Sequence, residues 1–171
     1  VQRTEHRVAT EGATDDMARR RRRQIGRAAL ALALPAVLVL VSGLILRGGI
    51  PERVAFHWDA SGRADGAVPA EPLLWGCFAL AIVLFGIGLV VALIPNGDRD
   101  DIRKAMTIIG CVSGLAASCW LVPAITTFIA EQNEHAALDG WVLMFVLGLG
   151  YGGVTRWLTP MGRDEQRQDA M

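Results

Sequence analysis

Residues 72–95 read PLLWGCFALAIVLFGIGLVVALIP, 24 positions without a single charge and with a proline at each end. The uncharged gap is wider still, 26 residues from Glu71 to Asp98. A soluble domain would scatter its charges along such a stretch at helical or strand spacing. A helix rises ~1.5 Å per residue, so about 20 residues cross a hydrocarbon layer of ~30 Å. No water is available there to satisfy the backbone, so the stretch is expected to be helical. Pro72 sits at a favoured first-turn position, and Pro95-Asn96-Gly97 is a turn signal that ends the helix. Trp75 stands near its start, where an aromatic ring suits the level of lipid headgroups.

The same reading recurs along the chain. Uncharged gaps of 19, 26 and 16 residues separate Arg27 from Arg47, Lys104 from Glu131, and Asp139 from Arg156. They predict spans at about 28–46, 105–129 and 140–158. The last reaches full length if Arg156 extends its charge to the headgroups. Pro35 should bend the first span while a neighbouring helix re-satisfies the freed carbonyl, and Pro123 should break the third. Trp141 and Trp157 mark the two boundaries of the fourth. The expected fold class is an all-α membrane protein. It is a four-transmembrane-helix bundle over residues 27–158, with a basic segment 1–26 before it and a tail 159–171 after it.

The 171-residue chain is 52% hydrophobic with zero net charge, but its charges are unevenly placed. Residues 1–27 carry eight arginines, 95–104 carry Arg99, Arg103 and Lys104, and the tail carries Arg156, Arg163 and Arg167. The remaining loops hold only Arg47, Arg53 and Arg63. The positive-inside rule then places both termini in the cytoplasm and loops 47–71 and 131–139 outside, as in a multi-pass plasma membrane protein. The run Arg19–Arg23 would also attract anionic lipid, at ~1 kcal/mol per residue near the surface. As a nucleic-acid patch it lacks aromatic residues and a recognisable fold, so no nucleic-acid partner is expected. As a signal-peptide n-region it precedes a stretch that is long and ends in bulky Leu44-Ile45-Leu46, which favours an uncleaved span. Residues 1–18 are polar and are expected to be disordered.

Within the spans the omissions are informative. No ionisable residue is expected at membrane depth, whereas pumps, proton relays and voltage sensors usually need one. Ser42, Ser113, Ser118, Thr126 and Thr127 can each bond back to a carbonyl of their own helix. Cys77, Cys111 and Cys119 read as small packing residues and not as a disulfide framework or zinc site. Gly110, Gly114 and Ser118 recur every fourth position in span three, as do Gly148 and Gly152 in span four. Such stripes permit close backbone approach in lipid. Packing of span three on span four is the plainer reading, and homo-oligomerisation through the same stripe is the other.

Distinctive chemistry is confined to the loop 47–71, RGGIPERVAFHWDASGRADGAVPAE. Twenty-five residues exceed what joining two antiparallel helices requires. Val54, Phe56 and Trp58 alternate with Ala55, His57 and Asp59, which predicts a strand and a short structured loop of β-hairpin type. The apolar set would lie on headgroups or helix tops, and Arg53, Ala55, His57 and Asp59 would share the other face. Asp59-Ala60-Ser61-Gly62 suits a tight turn, and Asp65-Gly66 a second one.

These residues carry a resemblance. Pro51-Glu52-Arg53-Val54, then His57-Trp58, Gly62 and Asp65-Gly66, placed behind a first transmembrane helix, resemble the bacterial membrane family called domain of unknown function 1648. That is the N-terminal region of SdpI-like proteins. The resemblance covers roughly residues 28–95. It implies immunity to a peptide toxin, or signalling by sequestering a repressor. SdpI-like proteins carry more spans and a second characteristic region, which has no counterpart after span two here.

His57, Trp58, Asp59, Gly62 and Asp65 are therefore the candidate ligand- or partner-binding residues. The plainer alternative has His57 bonded within the loop and fixing its fold. A metal site would have to recruit Asp59, Asp65 or His135, a poor set for zinc, so no metal and no cofactor are expected. Neither outer loop offers a nucleophile and base in partnership, so no catalytic residue is expected. The leading expectation is a non-enzymatic integral membrane protein of the bacterial envelope, whose outer loop recognises a peptide, lipid or protein partner. A structural or accessory subunit of a membrane complex is the alternative, and a small transporter ranks below it.

Overall fold

A computed structural model describes residues 26–27, 30–94, 99–133 and 139–159 of the chain. The basic N-terminal segment, the Pro95-Asn96-Gly97 turn, His135 and the tail beyond Thr159 lie outside the described residues. The molecule is mostly helical, with four helices and one small antiparallel sheet. Each uncharged stretch holds one helix: α1, Leu30–Leu46; α2, Ala70–Leu93; α3, Arg99–Asn133; and α4, Val142–Leu158. Between α1 and α2 the chain forms a hairpin of β1, Arg53–Trp58, and β2, Ala64–Pro69. A short 3-10 turn, Asp139–Trp141, leads into α4.

Helices α2 and α3 are long and apolar enough to cross a membrane, and α1 and α4 are shorter apolar helices. Successive helices alternate in direction, so the hairpin lies at the end where α1 finishes, α2 begins and α3 finishes. Helix α3 packs extensively against α4 and also against α2, and its Trp120 bonds Ser42 of α1. Val39 of α1, Cys77 of α2 and Ala117, Trp120 and Ala124 of α3 form one core cluster near the hairpin end. Leu32, Met106 and Ile109 form a second cluster at the opposite end.

The α3–α4 seam is closed to backbone distance. A methyl group added at Gly114 would collide with the Gly148 carbonyl and come within 2.8 Å of Tyr151 Cβ. One added at Gly148 would meet the Gly114 carbonyl oxygen at 2.7 Å. Gly110 faces Thr155 and Gly152, and Gly152 faces Cys111 and the Thr107 carbonyl. Hydroxyls add directional bonds across the seam. Ser118 Oγ lies 2.9 Å from the Met144 carbonyl, and Thr155 Oγ1 donates to the Met106 carbonyl at 2.8 Å. The Cys111 thiol lies 3.0 Å from the Leu149 carbonyl.

Two prolines behave differently. Pro35 cannot supply the amide that would bond the Ala31 carbonyl four residues earlier. Tyr151 of α4 donates its hydroxyl to that carbonyl at 2.5 Å, so a neighbouring helix replaces the missing donor. Pro123 does not break its helix, contrary to the sequence expectation. Helix α3 runs through it for 35 residues. A proline removes one backbone bond at a cost of ~3 kcal/mol, and the dispersion contacts of its closely packed neighbours offset this. Pro123 itself is fully buried, with Trp120, Val122 and Ala124 around it. Thr126 Oγ1 bonds the carbonyls of Val122 and Pro123, at 2.8 and 3.2 Å, which secures the backbone beside the ring.

Candidate functional site

The hairpin is built by local chemistry at its tip. Asp59 Oδ1 accepts from the Ser61 amide at 2.8 Å, the Ser61 hydroxyl at 2.6 Å and the Arg63 amide at 3.0 Å. The Asp59 amide donates to the Arg63 carbonyl, and the Gly62 amide to the Asp59 carbonyl, both at 2.9 Å. Gly62 has φ of +79°, a conformation that a side chain disfavours. The Ser61 hydroxyl, followed by the Arg63 amide, stabilises the carboxylate and lowers the Asp59 pKa from its ordinary 3.8.

Past the turn the register departs from simple alternation. Ala55 pairs with Ala67, His57 with Gly66 and Trp58 with Ala64. Phe56 is thus an extra residue on β1, and Asp65 on β2, a pair of compensating bulges. Two expectations are corrected here. Asp65-Gly66 is not a second turn but lies within β2, with Gly66 opposite His57. A methyl group at Gly66 would come within 2.9 Å of His57 Cβ, so the small residue serves close strand approach. The apolar face is not Val54, Phe56 and Trp58 either. Val54 and Ala55 are buried and Phe56 is exposed, because the bulge turns the strand between them.

The bulges bring His57 and Asp65 together. His57 Nδ1 lies 2.5 Å from Asp65 Oδ1, and both side chains are open to solvent. The contact is an ion pair when the imidazole is protonated and a neutral-donor hydrogen bond otherwise. Asp59 belongs to the turn and does not join this pair. Trp58 is half-buried, and its indole N–H is buried without a partner among the described residues. Arg53 reaches across the sheet to donate to the Ala67 carbonyl at 2.5 Å. Among the described residues no group of three His, Cys, Asp or Glu side chains could hold a metal ion.

The hairpin is pinned to the helices at two points. The Ala55 amide donates to Thr127 Oγ1 of α3 at 2.8 Å, fastening the free edge of β1. The Ala70 amide, first of α2, donates to the Glu52 carbonyl at 2.9 Å. That bond satisfies one of the donors a helix start leaves open, and Pro72 has no N–H to satisfy. Under the hairpin base lies a cavity of about 500 Å³, bordered by the end of α1 and the start of α2. Leu44, Arg47, Glu52, Glu71, Trp75 and Trp120 are among its walls. Trp75 stands edge-on to Phe78, with ring centroids 6.0 Å apart. The Trp120 indole donates to Ser42 Oγ at 2.9 Å, linking α3 to α1.

Sequence reasoning gave Thr127 a bond back to its own helix, whereas it accepts from the Ala55 amide of β1. It missed Tyr151 and the cavity, whose parts lie far apart along the chain; Tyr151, the one tyrosine of the chain, set in an apolar stretch, is the signal that could have marked the first. The packing residues Gly110, Gly114, Ser118, Gly148 and Gly152 all lie in the α3–α4 seam, remote from the hairpin.

No curated protein and no solved structure matches the chain. Most of α1, the hairpin and the first half of α2 do find a counterpart: residues 34–82 match the family described as Domain of unknown function (DUF1648).

Proposed function

We propose that the chain is a non-enzymatic integral membrane protein of the bacterial envelope. Four helices span the bilayer, both ends lie in the cytoplasm, and the outer hairpin recognises a peptide, lipid or protein partner. The membrane part rests on exposure. Over its most apolar 18 residues α2 is only 17% buried, whereas the core helix of a soluble protein would be covered. Leu80, Val83, Ile87 and Val90 of α2 are all exposed, as are Leu34, Val41 and Ile45 of α1 and Leu143, Val146 and Leu147 of α4. A hydrocarbon surround accepts many apolar side chains on several sides at once, which supports the membrane reading. Helices α1 and α4, 17 residues each, are ~25 Å long and cross with slight thinning or flanking-residue extension.

Recognition is supported chiefly by the order of the hairpin. A mere connector needs no bulged register, no Asp59 turn and no stitch to Thr127. The His57–Asp65 pair is presented to solvent on that fixed frame. The immunity or signalling role suggested by SdpI-like relatives belongs to the same proposal. An accessory subunit, held through the α3–α4 stripe, is less favoured, because both sides of that stripe are already occupied within one chain.

A photoreactive residue at Phe56, exposed on the bulge, tests this in native membranes. Discrete crosslinks should form there and not from Ile108, and they should be lost in His57→Gln with protein abundance unchanged. Equal crosslinking from both positions would refute a recognition surface on the hairpin.

A further inference from the structure

Resting on the four-span reading, we infer that the cavity beneath the hairpin binds a phospholipid whose headgroup carries both a phosphate and a primary ammonium. At about 500 Å³ it falls within the usual range for small-ligand sites, ~300–1,000 Å³. Its floor is apolar: Trp120 is 2% exposed and its one polar hydrogen is already given to Ser42. Leu44 and Trp75 form walls that are themselves 59% and 51% exposed. They join the apolar outward faces of α1 and α2. An acyl chain lying there leaves the bilayer without leaving an apolar surface.

The rim fixes the headgroup. Arg47 stands just past the end of α1, Glu52 at the hairpin base and Glu71 in the first turn of α2. Among the described residues none of these three side chains has a hydrogen bond or ion pair. The Glu52 backbone is held by the Ala70 amide, which couples the two acidic positions. One guanidinium and two carboxylates around one cavity complement a zwitterion. The planar fork of Arg47 suits phosphate oxygens, and an ammonium with three N–H donors suits two carboxylates. A choline headgroup keeps the charge but has no N–H to donate. A glycerol headgroup has no cation and sets its phosphate against both carboxylates. The rim therefore discriminates by repulsion as well as by attraction.

The test uses the full chain in nanodiscs containing equal parts of phosphatidylethanolamine, phosphatidylcholine and phosphatidylglycerol with identical acyl chains. Native mass spectrometry then reads which lipids stay bound. Phosphatidylethanolamine should be retained about tenfold over either competitor, and Glu52→Gln with Glu71→Gln should bring its advantage over phosphatidylcholine to about twofold or less. Arg47→Gln should reduce retention of both zwitterionic lipids together. Retention that follows bulk composition, preference for phosphatidylglycerol, or unchanged selectivity in the double variant would overturn the inference. Protease protection of the same samples separates the two failures. Correct insertion without selectivity defeats the lipid site alone, and incorrect insertion defeats the four-span reading beneath it.

Discussion

The α3–α4 seam and the hairpin end are opposite solutions to joining helices. At the seam two glycine-containing faces meet so closely that a single methyl group has no room, and hydroxyls of Ser118 and Thr155 bond backbone carbonyls of the facing helix. At the hairpin end α1, α2 and α3 pack through Val39, Cys77 and Trp120 yet leave a cavity beside that cluster, with charges on the rim that are unpaired among the described residues and large apolar side chains in the walls. In the lipid setting proposed above, where apolar burial gives little drive, the first arrangement would supply stability through close packing. The second keeps open space beside its packed cluster, and such space with polar groups around it is what a binding site needs. The DUF1648 match, residues 34–82, covers the open end and stops short of the seam.

The sharpest way to break this contrast is Gly114→Leu. It should cost ~3 kcal/mol or more, since the carbonyl it meets is backbone and cannot turn aside. Gly150→Leu, on the same α4 but with open space around it, should change thermal stability in detergent by ~0.5 kcal/mol or less. Equal losses from the two would show that the seam is not the stabilising element. Next comes Gly62→Val, which forces a β-branched residue into positive φ and should destabilise the hairpin by ~1–3 kcal/mol. Hydrogen exchange should speed up at Asp59–Arg63 while α3 and α4 keep their protection. Tyr151→Phe should cost ~1 kcal/mol, by leaving the Ala31 carbonyl beside Pro35 without a donor. Its effect should fall on α1, seen as faster exchange there, and not on the hairpin.

Much of the helical framework could be read from the placement of charges, because an uncharged run of such length has few structural uses. The tip of the hairpin was equally accessible, since Asp59, Ser61 and Gly62 act within a few residues of one another. The Asp65-Gly66 pair misled because its turn-like composition serves a bulge, and bulges depend on the partner strand's register. Pro123 misled because a proline's local penalty is visible in sequence and the burial that offsets it is not. The cavity was wholly hidden. Arg47, Glu52 and Glu71 looked like loop charges until the fold placed them around one space.

The smallest expected effect is on the hairpin's response to acid. The Asp59 carboxyl has a lowered pKa in the folded turn, so the unfolded turn binds the proton more readily. Its contribution is present above the ordinary aspartate value of 3.8 and is lost as pH falls through the lower, folded value. Exchange at Ser61 and Arg63 should therefore rise below about pH 4 beyond its intrinsic pH dependence, and Asp59→Asn should abolish that excess. An excess that survives in the variant would place the titrating group elsewhere.

Whether the hairpin stands outside a four-span bundle, as proposed, can be read from cysteine accessibility. With Cys77, Cys111 and Cys119 replaced by alanine, single cysteines at Ser61, Asn133, Gly97 and Gln168 are exposed on intact cells to a membrane-impermeant maleimide. Ser61 and Asn133 positions should label on intact cells, and Gly97 and Gln168 positions only after the cells are opened. Labelling of Gly97 on intact cells, or protection of Ser61, would contradict the proposed topology.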